Sequence, residues 1–389
     1  MKKSCVSAIL LLLAFFGIHL PQAYPQISTE QFQQTEKYLR DHAQAPDEYL
    51  IAKFKDHSVI LLGEEHAVKD NLDFVIALIP GLCKAGVYNI GMEFGASEDQ
   101  ARLDSLINAP QYDEQLARDL MFNYNAGWAY KEYTDIDRAA WSFNRTLPPK
   151  AKKFRIVNMS YKYNWSGFTP PRTPENMAQV FSKGTTDQYR ADLIEKEIMK
   201  EKEKILILTG TPHAYTRYSN APFEYNADNF CHYDTGWLGN RLYQKYPKPV
   251  FNILLHQPFY NSAGKKPLLL SPANGEIEKL MTRMNHVPLG FDLLNSPAGD
   301  LPDSSSLSFG HPGFTLGQYF DGYIFLKPFS QMQGCTFDTL FFKGKTWGDV
   351  KDQVPDRDWR NPSSLEEYIR QIKSFVDMPT RYSGLRRMS

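Results

Sequence analysis

Ser58-Val-Ile-Leu-Leu-Gly-Glu-Glu-His66 is the stretch on which the reading of this chain turns. An unbroken apolar run ending in glycine is the pattern of a strand buried on both faces of a parallel sheet. The residues after it change period. Leu72, Val75, Ile76, Ile79 and Leu82 recur at helical spacing, with Pro80 expected to interrupt the helix late and Gly86 to stop it. A second apolar run, Val87-Tyr-Asn-Ile-Gly-Met92, then ends at Glu93. Strand, helix, strand is a βαβ unit, which fixes a parallel pair.

Working outward, further strands are predicted over 154–158, 204–209, 250–256 and 322–326. Helices are predicted over 97–107, 112–120, 134–145, 187–202 and 236–246, with a mostly helical entry over 31–50. The alternation predicts an α/β fold: one large domain with a mostly parallel central sheet flanked by helices, irregular insertions and a helical C-terminal tail. Its expected bounds are 24–345, with the tail over 346–389. Two stretches lack periodicity. One, 161–174, is rich in aromatics and proline. The other, 262–320, is rich in Gly, Pro, Ser and Asn around a short helix over 277–284, and its length suggests a lid. In the tail, 364–376 reads as a docking helix, and the basic end from Arg381 to Ser389 is expected to fray.

The first 23 residues read as a secretory signal peptide: Met1-Lys2-Lys3, then an apolar core from Ala8 to Ile18 that is too short to span a bilayer. The expected location is therefore exported, periplasmic or secreted, with no transmembrane segment after the signal is removed. Lys and Arg total 44 and so do Asp and Glu, so no net positive charge favours nucleic acid. Hydrophobic residues make up 42%, which is enough for a large core. Beyond the signal, three cysteines (Cys83, Cys231 and Cys335) are too few for a disulfide scaffold, and Cys83 sits among apolar residues as a core thiol. The adjacent pair Cys231-His232 does not have metal-site spacing.

Three polar clusters fall at predicted strand ends: Gly63-Glu64-Glu65-His66, then Glu93, then Gly210-Thr211-Pro212-His213. Ligands of open α/β sheets bind beyond the strand carboxyl ends, so these residues converge if their strands are neighbours. Carboxylate–imidazole clusters serve two chemistries. They bind a divalent metal that acidifies water, or a histidine acts as general base while a carboxylate orients it. Lesser candidates are Glu132, Arg217 (four residues past His213) and an aromatic wall of Tyr161, Tyr163 and Trp165. His256, at another strand end, reads as a packed histidine. Ser142 and Ser160 lack a nucleophile elbow, and no dinucleotide fingerprint or P-loop is present.

Val59-Ile-Leu-Leu-Gly-Glu-Glu-His66, with Gly91-Met-Glu-Phe94 one βα unit later, resembles the superfamily of erythromycin esterases, ChaN-like haem-uptake proteins and Tiki/TraB proteins. Ile205-Leu-Ile-Leu-Thr-Gly-Thr-Pro-His213 resembles its late strand. Gly127-Trp-Ala-Tyr-Lys-Glu132 and Ala140-Trp-Ser-Phe-Asn-Arg145 resemble the helix of the esterase branch. The resemblance implies active-site roles for Glu64, His66, Glu93 and His213. Through the Tiki branch it implies a metal site on His66, Glu93 and His213. It implies an ester or amide hydrolase of small-molecule or peptide substrates, or else a haem- or small-ligand-binding protein without turnover. Two departures stand out. Only Glu65 separates Glu64 from His66, as in the ChaN-like branch, and Asn158 stands where relatives often carry a carboxylate.

Overall fold

The computed structural model describes residues 27–165, 173–219, 235–260, 268–353 and 362–385. The expected signal peptide and the pair Cys231-His232 lie outside the described residues. Among the described residues nine strands follow in chain order: β1 (Val59–Glu64), β2 (Asn89–Ala96), β3 (Arg155–Ser160), β4 (Ile205–Gly210), β5 (Val250–Leu255), β6 (Phe259–Tyr260), β7 (Leu269–Leu270), β8 (Leu289–Asp292) and β9 (Gly322–Phe325). Seven of them form one sheet in the order β3-β2-β4-β1-β5-β9-β8, and β6 pairs with β7 apart from it. Every pairing in the large sheet is parallel except β8 with β9. Among the described residues no helix is long and apolar enough to cross a membrane.

Strand alternation assigns the two faces. Ile60 and Leu62 of β1 enter one core, with Leu72, Val75 and Ile79 of helix Lys69–Lys84 and Tyr133 and Ile136 of helix Lys131–Thr146. Val59 and Leu61 enter the other, with Ala191 and Ile194 of helix Thr186–Ile194 and Leu280 and Met281 of helix Glu276–Arg283. All six residues of β1 are buried, so the run carries no polar face. Burial of each large apolar side chain contributes about 1.5–3 kcal/mol.

Three expectations are corrected. Helix Lys69–Lys84 runs through Pro80, because its apolar stripe from Leu72 to Leu82 is fully buried and outweighs the lost backbone bond. β2 extends to Ala96, so Glu93 lies inside the strand rather than after it. The part of 262–320 that is described is not a lid. Phe291, Leu293, Leu301, Phe314, Leu316 and Phe320 are buried in the second core, and β8 lies within this stretch at the sheet edge.

That edge is covered. The Gln44 amide donates to the Gly290 carbonyl at 3.0 Å, and the Gly290 amide donates back at 2.9 Å. Glycine is required at 290, since a Cβ there would lie 2.5 Å from the Tyr49 ring. The tail also docks. Helix Leu365–Phe375 is followed by Met378, Tyr382 and Leu385, which pack on Val68, Phe329 and Met332. The expected fraying therefore does not begin at Arg381, and residues 386–389 lie outside the described set.

Helix Lys131–Thr146 also carries Asp137, beside a cavity of about 20 Å³ lined by Met92, Phe94, Leu120, Tyr133 and Asn158. Burial among these groups, with Asp135 the nearest like charge, pushes its carboxyl up to about 7 from 3.8. In the unfolded chain the group ionises first. Folding is therefore penalised increasingly as pH rises from about 4 to 7. Asp137→Asn is expected to stabilise the protein at pH 8 by on the order of 1–2 kcal/mol, a figure reduced for partial solvent screening, and to leave stability at pH 3.5 unchanged. Denaturant midpoints at the two pH values check this.

Candidate functional site

β4 lies between β2 and β1, so the chain order reverses there and the carboxyl ends of the three strands become neighbours. The register sets Glu64 of β1 opposite Gly210 of β4. Gly210 leaves a gap at the centre of the site. A Cβ there would lie 2.6 Å from His66 Nε2 and 3.5 Å from Glu93 Oε2, so the two side chains close on the same space.

On the β1 side, Glu64 is buried and its Oε1 lies 3.1 Å from His66 Nδ1. Tyr133 donates its hydroxyl to the same oxygen at 3.0 Å and accepts the Ala67 amide at 3.0 Å. Burial raises the Glu64 carboxyl, and His66 and Tyr133 oppose that shift. Its other oxygen, Oε2, is buried without a hydrogen-bond partner among the described residues. The His66 ring lies edge-on to Phe94 and Trp128, with centroids at 5.0 and 5.1 Å. Its side chain is 26% exposed, and Nε2 has no hydrogen-bond partner among the described residues.

On the β2 side, Glu93 is saturated. Oε2 accepts the Thr209 hydroxyl at 2.8 Å and the Gly210 amide at 2.7 Å. Oε1 faces Arg190 at 3.4 Å and His213 Nε2 at 3.3 Å. Burial alone would raise the Glu93 carboxyl, but His213 and Arg190 hold it well below the usual range. The other nitrogen of His213, Nδ1, meets Asp187 at 2.7 Å, and Asp187 also accepts the Leu238 amide at 3.0 Å. Burial would lower the His213 pKa, yet the flanking carboxylates push it up to about 9, so it is an imidazolium at neutral pH. Arg190 is itself buried and donates to the Ser160 hydroxyl at 2.9 Å. Two carboxylates and two cations therefore interlock, with Glu93 and Arg190 buried and the His213 side chain 19% exposed.

Glu64, His66, Glu93 and His213 come together as the sequence suggested. Three other candidates do not join them. Both oxygens of Glu132 are taken by Thr336 at 2.8 Å, so it ties helix Lys131–Thr146 to a distant loop. Arg217 is paired with Asp321 and the Gly317 carbonyl. Tyr161 is fully buried, with its hydroxyl on the Gly184 carbonyl, and so forms no open wall. His256 is packed as expected, between Tyr323 and Glu278. Asn158 donates to the Ala96 carbonyl at 3.1 Å and acts as a strand-end brace.

Asp187, Arg190 and Tyr133 were missed by sequence reasoning. A signal existed for the first two: Asp187, Arg190, Ala191, Ile194 and Ile198 share one stripe, so two charges stand at core-facing positions.

The expected divalent metal site on His66, Glu93 and His213 finds no support in the geometry. Among the described residues no group of three or more His, Cys, Asp or Glu is placed to hold a metal ion. The donors are already engaged: both Glu93 oxygens and both His213 nitrogens have protein partners, and the cation facing Glu93 is Arg190. Haem would need a free donor atom. His66 fits that requirement, with Nε2 open and Nδ1 on a buried carboxylate.

Residues 50–203 match a family model described as haem-binding uptake, Tiki superfamily, ChaN. The resemblance to that superfamily is thus borne out over the stretch holding Glu64, His66, Glu93, Asp187 and Arg190, while His213 lies beyond it. No curated protein matches the chain. Among solved structures, a succinoglycan biosynthesis protein is 12% identical with a TM-score of 0.51, covering 78% of this chain and 98% of that one. That likeness is one of fold. An erythromycin esterase mutant in its open conformation is 11% identical with a TM-score of 0.46, over 71% of this chain and 92% of its own. ChaN of Campylobacter jejuni, described with cofacial heme binding, is 16% identical with a TM-score of 0.35, over 54% and 86%.

Two outcomes are expected from the geometry. Gly210→Ala should drive His66 from its place at a cost of about 1–3 kcal/mol in unfolding free energy, and the His66 imidazole resonances should shift. Glu93→Gln leaves Arg190 and His213 buried without their shared partner and should cost about 3–5 kcal/mol. The pH profile of stability tests the same cluster. The depressed Glu93 contributes stability present above its ordinary 4.5 and lost as pH falls through its folded value. The raised His213 contributes stability fully present below 6.5 and lost as pH rises through about 9. The full contribution therefore falls between pH 4.5 and 6.5, and a flat profile across the alkaline range would contradict it.

Proposed function

We propose that the chain is a hydrolase-like protein that activates water with His66 for ester or amide cleavage of a small-molecule or peptide substrate. The observation that carries this reading is the open, part-exposed Nε2 of His66 above Gly210, with Nδ1 held by a buried carboxylate. In this arrangement Nε2 takes the proton from water. Glu64 fixes the tautomer and stabilises the imidazolium that forms. Tyr133 in turn holds Glu64. His213, already protonated at neutral pH, is not a second base, and with both nitrogens on carboxylates its role is electrostatic. Glu93 keeps that proton in place and orients the Gly210 backbone. Export of the protein belongs to this proposal.

The family match favours a second reading, in which the same histidine binds haem without turnover. His66 would hold the haem iron through Nε2, with Glu64 as the carboxylate behind it and Phe94 and Trp128 as apolar neighbours. Haem, when bound, would supply the iron chemistry of the protein.

His66→Asn should reduce hydrolysis of a panel of small esters and lactones by about 10²–10⁴-fold while the unfolding midpoint stays near that of the wild type. Undiminished turnover in this variant would sink the first reading. Addition of haem to the wild type separates the two readings: a stoichiometric Soret band lost in His66→Asn, with no ester turnover, supports the second.

A further inference from the structure

The C-terminal tail reaches the site. Arg381 pairs with Glu65, and its Nη1 donates to the His66 carbonyl at 3.2 Å and the Phe375 carbonyl at 3.5 Å. The guanidinium also lies 4.2 Å from the centre of the Phe375 ring. Its side chain is 17% exposed and that of Glu65 is 16%, so the pair is largely shielded from solvent. The backbone it grips is under strain. Ala67 has φ of 63°, a left-handed conformation that costs a non-glycine residue on the order of 1–2 kcal/mol. Such a turn persists only when its surroundings over-determine it. Tyr133 holds the Ala67 amide, the Cys335 amide donates to the Ala67 carbonyl at 2.9 Å, and Arg381 holds the two residues before it. Behind them Met378, Tyr382 and Leu385 seat the tail on Val68, Phe329 and Met332.

We propose that Arg381 is a positioning residue for His66, and that the docked segment from Met378 to Leu385 is a latch that keeps the Glu65–Ala67 turn in its working shape. Glu65, the one residue between Glu64 and His66, is then the tail's receptor on the turn. The segment from Met378 to Leu385 lies outside the stretch matched by the family model. The inference rests on the proposed role of His66, but its primary readout does not require activity.

The test compares Arg381→Ala, Arg381→Lys and Glu65→Gln with the full-length wild type. ¹⁵N NMR of the imidazoles reports the His66 tautomer and its pH titration, and thermal unfolding reports the fold. In the wild type, His66 should hold its proton on Nδ1, facing Glu64. Arg381→Ala should give a mixed tautomer and a shifted titration with the fold retained, and Arg381→Lys should restore most of the wild-type signal. Glu65→Gln should shift the signal in the same sense by a smaller amount, since the bond to the His66 carbonyl survives. If the wild type hydrolyses esters, Arg381→Ala should lower kcat by about 10-fold or more with little change in KM, as expected for misplacement of a base. A folded Arg381→Ala with unchanged His66 tautomer and titration overturns the latch. If Arg381→Ala does not fold, an unchanged His66 signal in Glu65→Gln overturns it. Loss of activity in His66→Asn without any effect of these variants on the His66 signal refutes the latch and leaves the His66 reading intact. An inactive wild type with the predicted tautomer changes does the reverse.

Discussion

A carboxylate buried within a strand must be matched where it stands, and Glu93 is the group on which the arrangement depends. Neutralising it takes Arg190 from one helix and His213 from a strand end. Neutralising His213 in turn takes Asp187, which then accepts the Leu238 amide at the start of another helix. The charge requirement thus fixes the mutual positions of two strands and two helices. Glycine at 210 follows from the same requirement, because the amide that serves Glu93 and the space that admits His66 are both at that residue. The result is a division between two arms. One is interlocked, mostly buried and neutral in sum. The other, His66 on Glu64, is oriented on one side and open on the other. A reactive group needs that asymmetry, and a purely structural ion cluster does not.

Much of this was legible in the sequence because it is written in local pattern. Apolar runs with no polar face, such as residues 59–62, specify strands buried on both sides. Glycine and charge after each run mark strand ends, and the rule that ligands gather there brought Glu64, His66, Glu93 and His213 together in advance. What stayed hidden depends on pairing between distant elements. Glu132 looked like a cleft residue, but its fate was decided by Thr336, over two hundred positions away. The metal expected from the resemblance depends on ligand atoms being free, and nothing in the linear sequence shows that Arg190 already faces Glu93. The edge strand β8 was invisible because four residues within a Gly- and Pro-rich stretch carry too short a pattern to stand out.

The tail and the turn at Ala67 show the same limit from another side. A basic C-terminal end reads as solvated charge when nothing nearby in sequence opposes it. Its partner here is a glutamate more than three hundred residues earlier, and the strain at Ala67 has no compositional signature, since alanine is not a residue that marks a left-handed turn. Local preference and final structure disagree at the one turn that presents His66, which is where such disagreements are expected to concentrate.

The pairing of Gln44 with Gly290 has a consequence for how the molecule behaves among its own copies. An open sheet ends in a row of unmet amides and carbonyls, and such a row can recruit the strand of a neighbour and begin a growing stack. At the β8 end this row is short, it runs antiparallel to β9, and its central residue already exchanges both backbone bonds with the N-terminal segment. The Tyr49 ring lies against the same glycine. At this end of the sheet a second molecule finds little backbone left to template on, so this margin resists self-association without needing charge or proline to do so.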